Sequence, residues 1–150
     1  MKTNNLILSP FSEKDMPKAY PKFKQALYEV SKAAFGWDEK FQHERFDKAY
    51  RPEWFYWVKY NSESVGYVCY KTDPIELHLH LLIIFNEFQG KGFGKKTMDL
   101  IHDIAKELKV DVTLSTLKNN VPAVKLYQSL GYEVTEEGEH FLDMILKKNQ

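Results

Sequence analysis

Gln89-Gly90-Lys91-Gly92-Phe93-Gly94 separates a β-type run, Ile75 to Phe85, from a stretch whose apolar positions Thr97, Leu100, Ile101, Ile104, Ala105 and Leu108 keep helical spacing. Closely spaced glycines between a strand and a helix let backbone N–H groups turn toward an anion, and the helix dipole adds to the attraction. The stretch is not a Walker loop, since Gly94-Lys95-Lys96-Thr97 carries an extra lysine ahead of the threonine. Nor does it keep the dinucleotide-binding spacing, because Lys95 stands where the third glycine belongs. A pyrophosphate-binding turn of another kind is left, beside the plain alternative of a tight turn that binds nothing.

Downstream, Val112 to Leu117 is again β-type, so the strands flanking this helix are expected to be parallel with a right-handed crossover. A short helix after Asn119-Asn120 runs to Leu130 and stops at Gly131, before strands near Tyr132 to Thr135 and His140 to Leu146. Upstream, Asn5 to Ser9 reads as a strand closed by Pro10. Phe23, Ala26, Leu27, Val30 and Ala34 then predict a helix stopped by Gly36, and Asp38 caps a second one carrying Phe41, Phe46, Ala49 and Tyr50. Trp54 to Tyr60 and Val65 to Lys71 form a hairpin around Asn61-Ser62-Glu63-Ser64, and Thr72-Asp73-Pro74 turns the chain into the long strand. Strict alternation there places Glu76, His78, His80, Leu82 and Ile84 on one face and Leu77, Leu79, Leu81, Ile83 and Phe85 on the other.

The 150 residues, 43% of them hydrophobic and 28% charged, suit a single globular domain spanning 1–150. Lys plus Arg and Asp plus Glu both number 21, so no global field favours a nucleic acid as partner. The lone cysteine, Cys69, forms neither an internal disulfide nor a zinc cluster, which suits a reducing compartment and a cytoplasmic location. The start Met1-Lys2-Thr3-Asn4-Asn5 is followed only by Leu6-Ile7-Leu8, too short for an export signal, and no segment approaches the ~20 apolar residues of a membrane span.

Gln89, Gly92 and Gly94 after a hydrophobic strand satisfy the pattern Gln/Arg-x-x-Gly-x-Gly/Ala. Asn120, Ala123, Leu126, Tyr127, Gly131 and Tyr132 satisfy Asn-x-x-Ala-x-x-Leu-Tyr-x-x-x-Gly-Phe/Tyr. With these motifs in this order, the sequence resembles the GNAT superfamily of acetyl-CoA-dependent N-acetyltransferases, and the element order is similar to that family over almost the whole chain. The resemblance implies an α/β fold of α+β type, a mixed and mostly antiparallel central sheet of about seven strands flanked by about four helices. It implies acetyl-CoA as cosubstrate, entering a splay between the strand ending at Phe85 and the strand beginning near Val112. Backbone amides of Gln89, Gly90, Lys91, Gly92, Phe93 and Gly94 would hold the pyrophosphate, and strand backbone at Leu82 and Ile84 would pair with the pantetheine arm. An N–H near Ile84 would polarise the acyl carbonyl, Asn120 would contact the pantetheine chain, and Tyr127 would stand beside the sulfur.

The residues support parts of this independently. A phenol of pKa about 10 stays protonated at neutral pH and can serve a leaving thiolate, although Tyr127 is also at core spacing from Ala123 and Leu130. Asn120 precedes Pro122 and suits a helix N-cap equally well. His78 and His80 share a strand face ~6.6 Å apart, within reach of one site. In the superfamily the general base often sits on this strand, so His78 is the favoured base, with His80 and Glu76 as a relay. The bland alternative is a pair of sheet histidines satisfied by their neighbours. A metal is not expected, because the pair lacks a third ligand.

Ten aromatic residues from Phe35 to Tyr60 include all three tryptophans, and in the family this segment builds much of the acceptor pocket. Trp37 with Glu39, Trp54 and Glu76 are therefore candidate substrate contacts, while a core or a homodimer face would use the same aromatics. Lys91, Lys95 and Lys96 suit the coenzyme phosphates or a solvated helix face. Cys69 as an acyl carrier has nothing in the sequence to activate it. The expected reaction is direct attack of a small-molecule or peptide amine on the thioester, the alternative being a non-catalytic acyl-CoA sensor of the same fold.

Overall fold

The computed structural model describes residues 5–149; the polar start Met1-Lys2-Thr3-Asn4, read above as no export signal, lies outside the described residues. Seven strands and four helices follow in the order β1 (Leu6–Pro10), α1 (Met16–Phe35), α2 (Glu39–Ala49), β2 (Phe55–Tyr60), β3 (Glu63–Thr72), β4 (Glu76–Ile84), α3 (Phe93–Leu108), β5 (Asp111–Leu117), α4 (Val121–Ser129), β6 (Glu133–Glu137) and β7 (Phe141–Leu146). They form one sheet of order β1-β2-β3-β4-β5-β7-β6, in which β4 and β5 run parallel and the other neighbours antiparallel. This is the mixed, mostly antiparallel architecture expected above.

Local chemistry sets the boundaries. Helix α1 begins two turns earlier than its apolar spacing indicates, because Pro17 occupies the first turn, where the missing N–H has no partner to lose. Pro21 lies inside the helix and breaks the periodic pattern without breaking the element. Asp38 caps α2 as expected, its Oδ1 accepting from Phe41 N at 3.0 Å. The hairpin closes more tightly than its polar stretch suggests: Asn61 and Ser62 alone form the turn, both at positive φ (52° and 72°), which matches the twist of the two strands.

Two apolar cores flank the sheet. Leu77, Leu79, Met98, Ile101, Val112 and Tyr127 belong to one, and Tyr20, Phe23, Phe46, Tyr67, Leu81 and Ile83 to the other. Strict alternation along β4 is thereby corrected. Cys69 pairs with Leu81 and Tyr70 with Leu79, so His80 is an extra residue in a β-bulge. Beyond the bulge the faces exchange, and Leu81, Ile83 and Phe85 join the α1 and α2 core while Leu82 and Ile84 pack against the other.

The same bulge marks where the sheet opens. The parallel ladder between β4 and β5 runs from Glu76↔Asp111 to Leu79↔Leu114 and then ends. From there β4 stays with β3 up to Ile84, whereas β5 stays with β7 up to Leu117. A wedge opens between the two, at the splay expected from the sequence. Gly66 holds β3 tightly to the departing strand, since a Cβ there would press into the Ile83 carbonyl oxygen.

Candidate active site

The wedge contains a cavity of about 410 Å³ reaching both faces of the sheet. Phe23, Leu27 and Tyr50 line it on the α1 and α2 side, Ala123 and Tyr127 on the α4 side, and His78, His80 and Leu82 along β4. Past Leu79 the edge of β4 has lost its partner strand. The bond from Phe85 N to Val65 O fixes the parity of the ladder: Leu81 and Ile83 turn their backbone groups toward β3, and Leu82 and Ile84 toward the wedge. One of these groups is already used, because Gln89 Nε2 donates to Ile84 O at 2.9 Å and ties the glycine turn to the strand end.

Histidine 78 is oriented from below. Its Nδ1 lies 2.8 Å from Thr113 Oγ1, and Thr113 Oγ1 donates to Glu76 Oε1 at 2.9 Å. Thr113 has a single hydroxyl proton; with that proton on Glu76, its oxygen accepts from His78 Nδ1–H, and the imidazole lone pair lies on Nε2. The relay thus differs from the expected one. Glu76 belongs to it, but through Thr113, and His80 makes no hydrogen bond to His78 although the rings lie 4.7 Å apart. His80 stacks on Trp54 at 5.1 Å and 11°, and its Nε2 is buried without a partner among the described residues. Burial, then His78 and then Lys71, lowers the His80 pKa to about 4, so this ring is neutral and a poor proton acceptor at neutral pH.

Tyr127 is buried, its ring edge-on to Tyr132, and burial pushes its phenol above the ordinary range. It keeps its proton at any physiological pH and is a hydrogen-bond donor facing the cavity it lines. Asn120 occupies the N-cap position of α4, yet its side chain makes no cap bond and it lines the same cavity. At the far end of the wedge Gly92 caps α3 at φ +83° with open space around it. The amides of Phe93, Gly94 and Lys95 form the first turn there and have no intrahelical acceptor. Lys91, Lys95 and Lys96 are exposed beside them.

His78, His80, Leu82, Asn120 and Tyr127 are therefore brought to one cavity, with Gln89 to Gly94 and Ile84 beyond its lining at the end of β4. Trp37, Glu39, Trp54 and Glu76 do not line it. Trp37 Nε1 and Tyr20 OH both donate to Glu39 at 3.0 Å, and Lys24 Nζ lies 2.7 Å from the same carboxylate. These bonds hold the Glu39 pKa down to about 2, Lys24 contributing most, and tie α1 to α2. Trp54 braces His80 from behind. Cys69 is fully buried and burial raises its thiol pKa, which makes it an inert core residue.

The residues not foreseen are Thr113, Ser115 and Thr116 on β5 and Ser31, Gln42 and Arg45 on the two helices. Alternation in Val112-Thr113-Leu114-Ser115 hinted at a polar face, but only the register His78↔Thr113 gives it a partner. Among the described residues, no group of three His, Cys, Asp or Glu is placed to hold a metal, and no helix is long and apolar enough to cross a membrane.

Residues 21–132 match the acetyltransferase (GNAT) family, and the chain belongs to that family. It is similar to the spermine/spermidine N(1)-acetyltransferase of Bacillus subtilis (strain 168), 32% identical over 98 residues that cover 59% of this chain and 62% of that protein. It is also similar to an uncharacterized N-acetyltransferase of Schizosaccharomyces pombe, 31% identical over 81 residues, or 51% of this chain. The match spans only 33% of that relative's length. Among solved structures, the PaiA N-acetyltransferase of Thermoplasma acidophilum in complex with coenzyme A shares the fold, with a TM-score of 0.70, 16% identity, and coverage of 95% of this chain and 98% of that one.

Proposed function

We propose that this protein transfers an acetyl group from acetyl-CoA to a primary amine by direct attack, with His78 as general base and Tyr127 as donor to the leaving sulfur. The observation that carries the reading is the wedge itself: an oriented imidazole and a buried phenol line one cavity where two parallel strands part. Acetyl-CoA supplies an activated acyl carbon and a thiolate leaving group.

The chain's own groups fit that cosubstrate. Backbone at Leu82 and the Ile84 N–H present hydrogen-bonding groups to an extended pantetheine arm, and Asn120 keeps its amide available beside it. The turn from Gln89 to Gly94 leads into the α3 N-terminus, where first-turn amides and the helix dipole favour the pyrophosphate. His78 Nε2 accepts the proton released as the amine nitrogen bonds to the acyl carbon. Thr113 and Glu76 hold the ring in the required tautomer. Tyr127 donates a hydrogen bond to the sulfur as the C–S bond breaks, and the thiol product takes up a proton.

The test is a free-thiol release assay across a panel of primary amines, alongside acetyl-CoA binding by calorimetry. Thiol release that depends on an amine and yields the N-acetyl product supports the reading. Acetyl-CoA binding with no release for any amine points instead to a sensor of the same fold.

A further inference from the structure

We propose that the acceptor is a small aminocarboxylate with an apolar body, its carboxylate held by Arg45 of α2 and its amine delivered to His78. The inference rests on the acetyl-transfer reading and narrows its substrate class. Among the described residues, the buried polar ones are Ser31, Gln42, Thr97 and Thr116. Thr97 is satisfied within α3, donating to Phe93 O at 2.7 Å. The other three line the cavity, and none of their side chains is hydrogen-bonded to another described residue. Their polar atoms open onto the cavity, since His80 Nε2 alone is a buried side-chain nitrogen or oxygen without a partner among the described residues, so these three are available to whatever fills the space.

Arg45, an exposed residue that lines the cavity from α2, gives that space its sign. It stands one helical turn from Gln42 on the same face of α2, and both line the cavity. Its guanidinium makes no ion pair or hydrogen bond with another described residue. No Asp or Glu is among the described residues lining the cavity, and Glu76, the acid behind His78, is bonded to Thr113. A polyamine would bring several positive charges against Arg45 and find no carboxylate to receive them. A carboxylate instead fits the guanidinium fork, with the Gln42 amide and Ser31 hydroxyl as further donors. The rest of the acceptor side is apolar, from Phe23, Leu27 and Tyr50 to Phe35 and Phe141 at the rim, which suits an aromatic or branched aliphatic body.

The test is calorimetric binding to the protein saturated with coenzyme A, which needs no turnover. The probes are phenylalanine and leucine, their amides, phenethylamine and spermidine. At least one amino acid is expected to bind about tenfold or more tightly than its amide, with spermidine weaker still. Arg45→Gln is expected to bring the amino acid down to the level of its amide, and Arg45→Lys to restore part of the difference. Equal binding of amino acid and amide, tightest binding of spermidine, a ratio unmoved by Arg45→Gln, or no binding of either amino acid overturns the proposal. A parallel thiol-release assay separates the two readings. Turnover of amines without preference for a carboxylate removes this inference alone. Carboxylate-dependent binding with no thiol release upholds the pocket and removes the transferase.

Discussion

In the proposed reaction His78 can serve as base because Thr113 and Glu76 fix which nitrogen carries its proton. Replacing His78 by Gln is expected to lower kcat by about 10²–10⁴-fold, and Thr113→Val, which leaves the imidazole in place but frees its tautomer, by about tenfold. Steady-state kinetics with one amine at saturating acetyl-CoA checks both, and equal activity of Thr113→Val and wild type would remove the relay. Tyr127→Phe deletes one hydroxyl from a buried ring, so acetyl-CoA affinity is expected to stay near wild type while kcat falls about 10²-fold. His80 is expected to act on stability rather than chemistry. Its pKa is lowered from 6.5 to about 4, so the folded state binds its proton less readily than the unfolded chain does. The stability this neutral ring contributes is full above pH 6.5 and is lost as pH falls toward 4. The urea midpoint of the wild type should therefore decline from pH 6.5 to about 5, and His80→Phe, which keeps a ring against Trp54, should flatten that decline. His102, also lowered by burial, contributes with the same sign and leaves some slope behind.

Two glycines show how the elements differ in what they demand. A methyl group at Gly66 of β3 meets backbone of β4 that cannot yield, and Gly66→Ala is expected to cost about 3 kcal/mol or more by chemical denaturation. At Gly92 the surroundings are open and only the positive φ resists, so Gly92→Ala should cost about 1–2 kcal/mol while weakening acetyl-CoA binding measurably. A larger loss of stability at Gly92 than at Gly66 would contradict this ordering. The elements were legible in the sequence where local chemistry acts alone: the Asp38 cap, the Gly36 stop and the strand–glycine–helix unit all stand where their residues place them. They were illegible where one residue changes the count. The extra residue at His80 leaves no mark on composition, yet it moves Leu81 and Ile83 to the opposite core from Leu77 and Leu79. The prolines at 17 and 21 hid two turns of α1 for the opposite reason: the helix start tolerates Pro17, and the helix continues through Pro21.

At the scale of the whole molecule, the bulge and the end of the parallel ladder coincide, and together they make a passage from one core to the other. The motifs Gln89 to Gly94 and Asn120 to Tyr132, which carry the proposed coenzyme side of that passage, are legible because they are local in sequence. The proposed acceptor side comes from residues far apart, Ser31, Arg45 and Thr116, which share a cavity only after α1, α2 and β5 have packed. Trp37 and Glu39 misled for the same reason: their proximity in sequence is spent on a clamp with Lys24 and Tyr20. In the proposed reaction acetyl-CoA and a primary amine meet in this wedge at His78. The most direct measurement is the rate of coenzyme A thiol release from acetyl-CoA with and without amine, for wild type and His78→Gln. Amine-dependent release by the wild type that falls about 10²-fold or more in the variant is the predicted result. Release at the same rate in both would remove His78 as the base, and none from a wild type that binds acetyl-CoA would remove the transfer reaction.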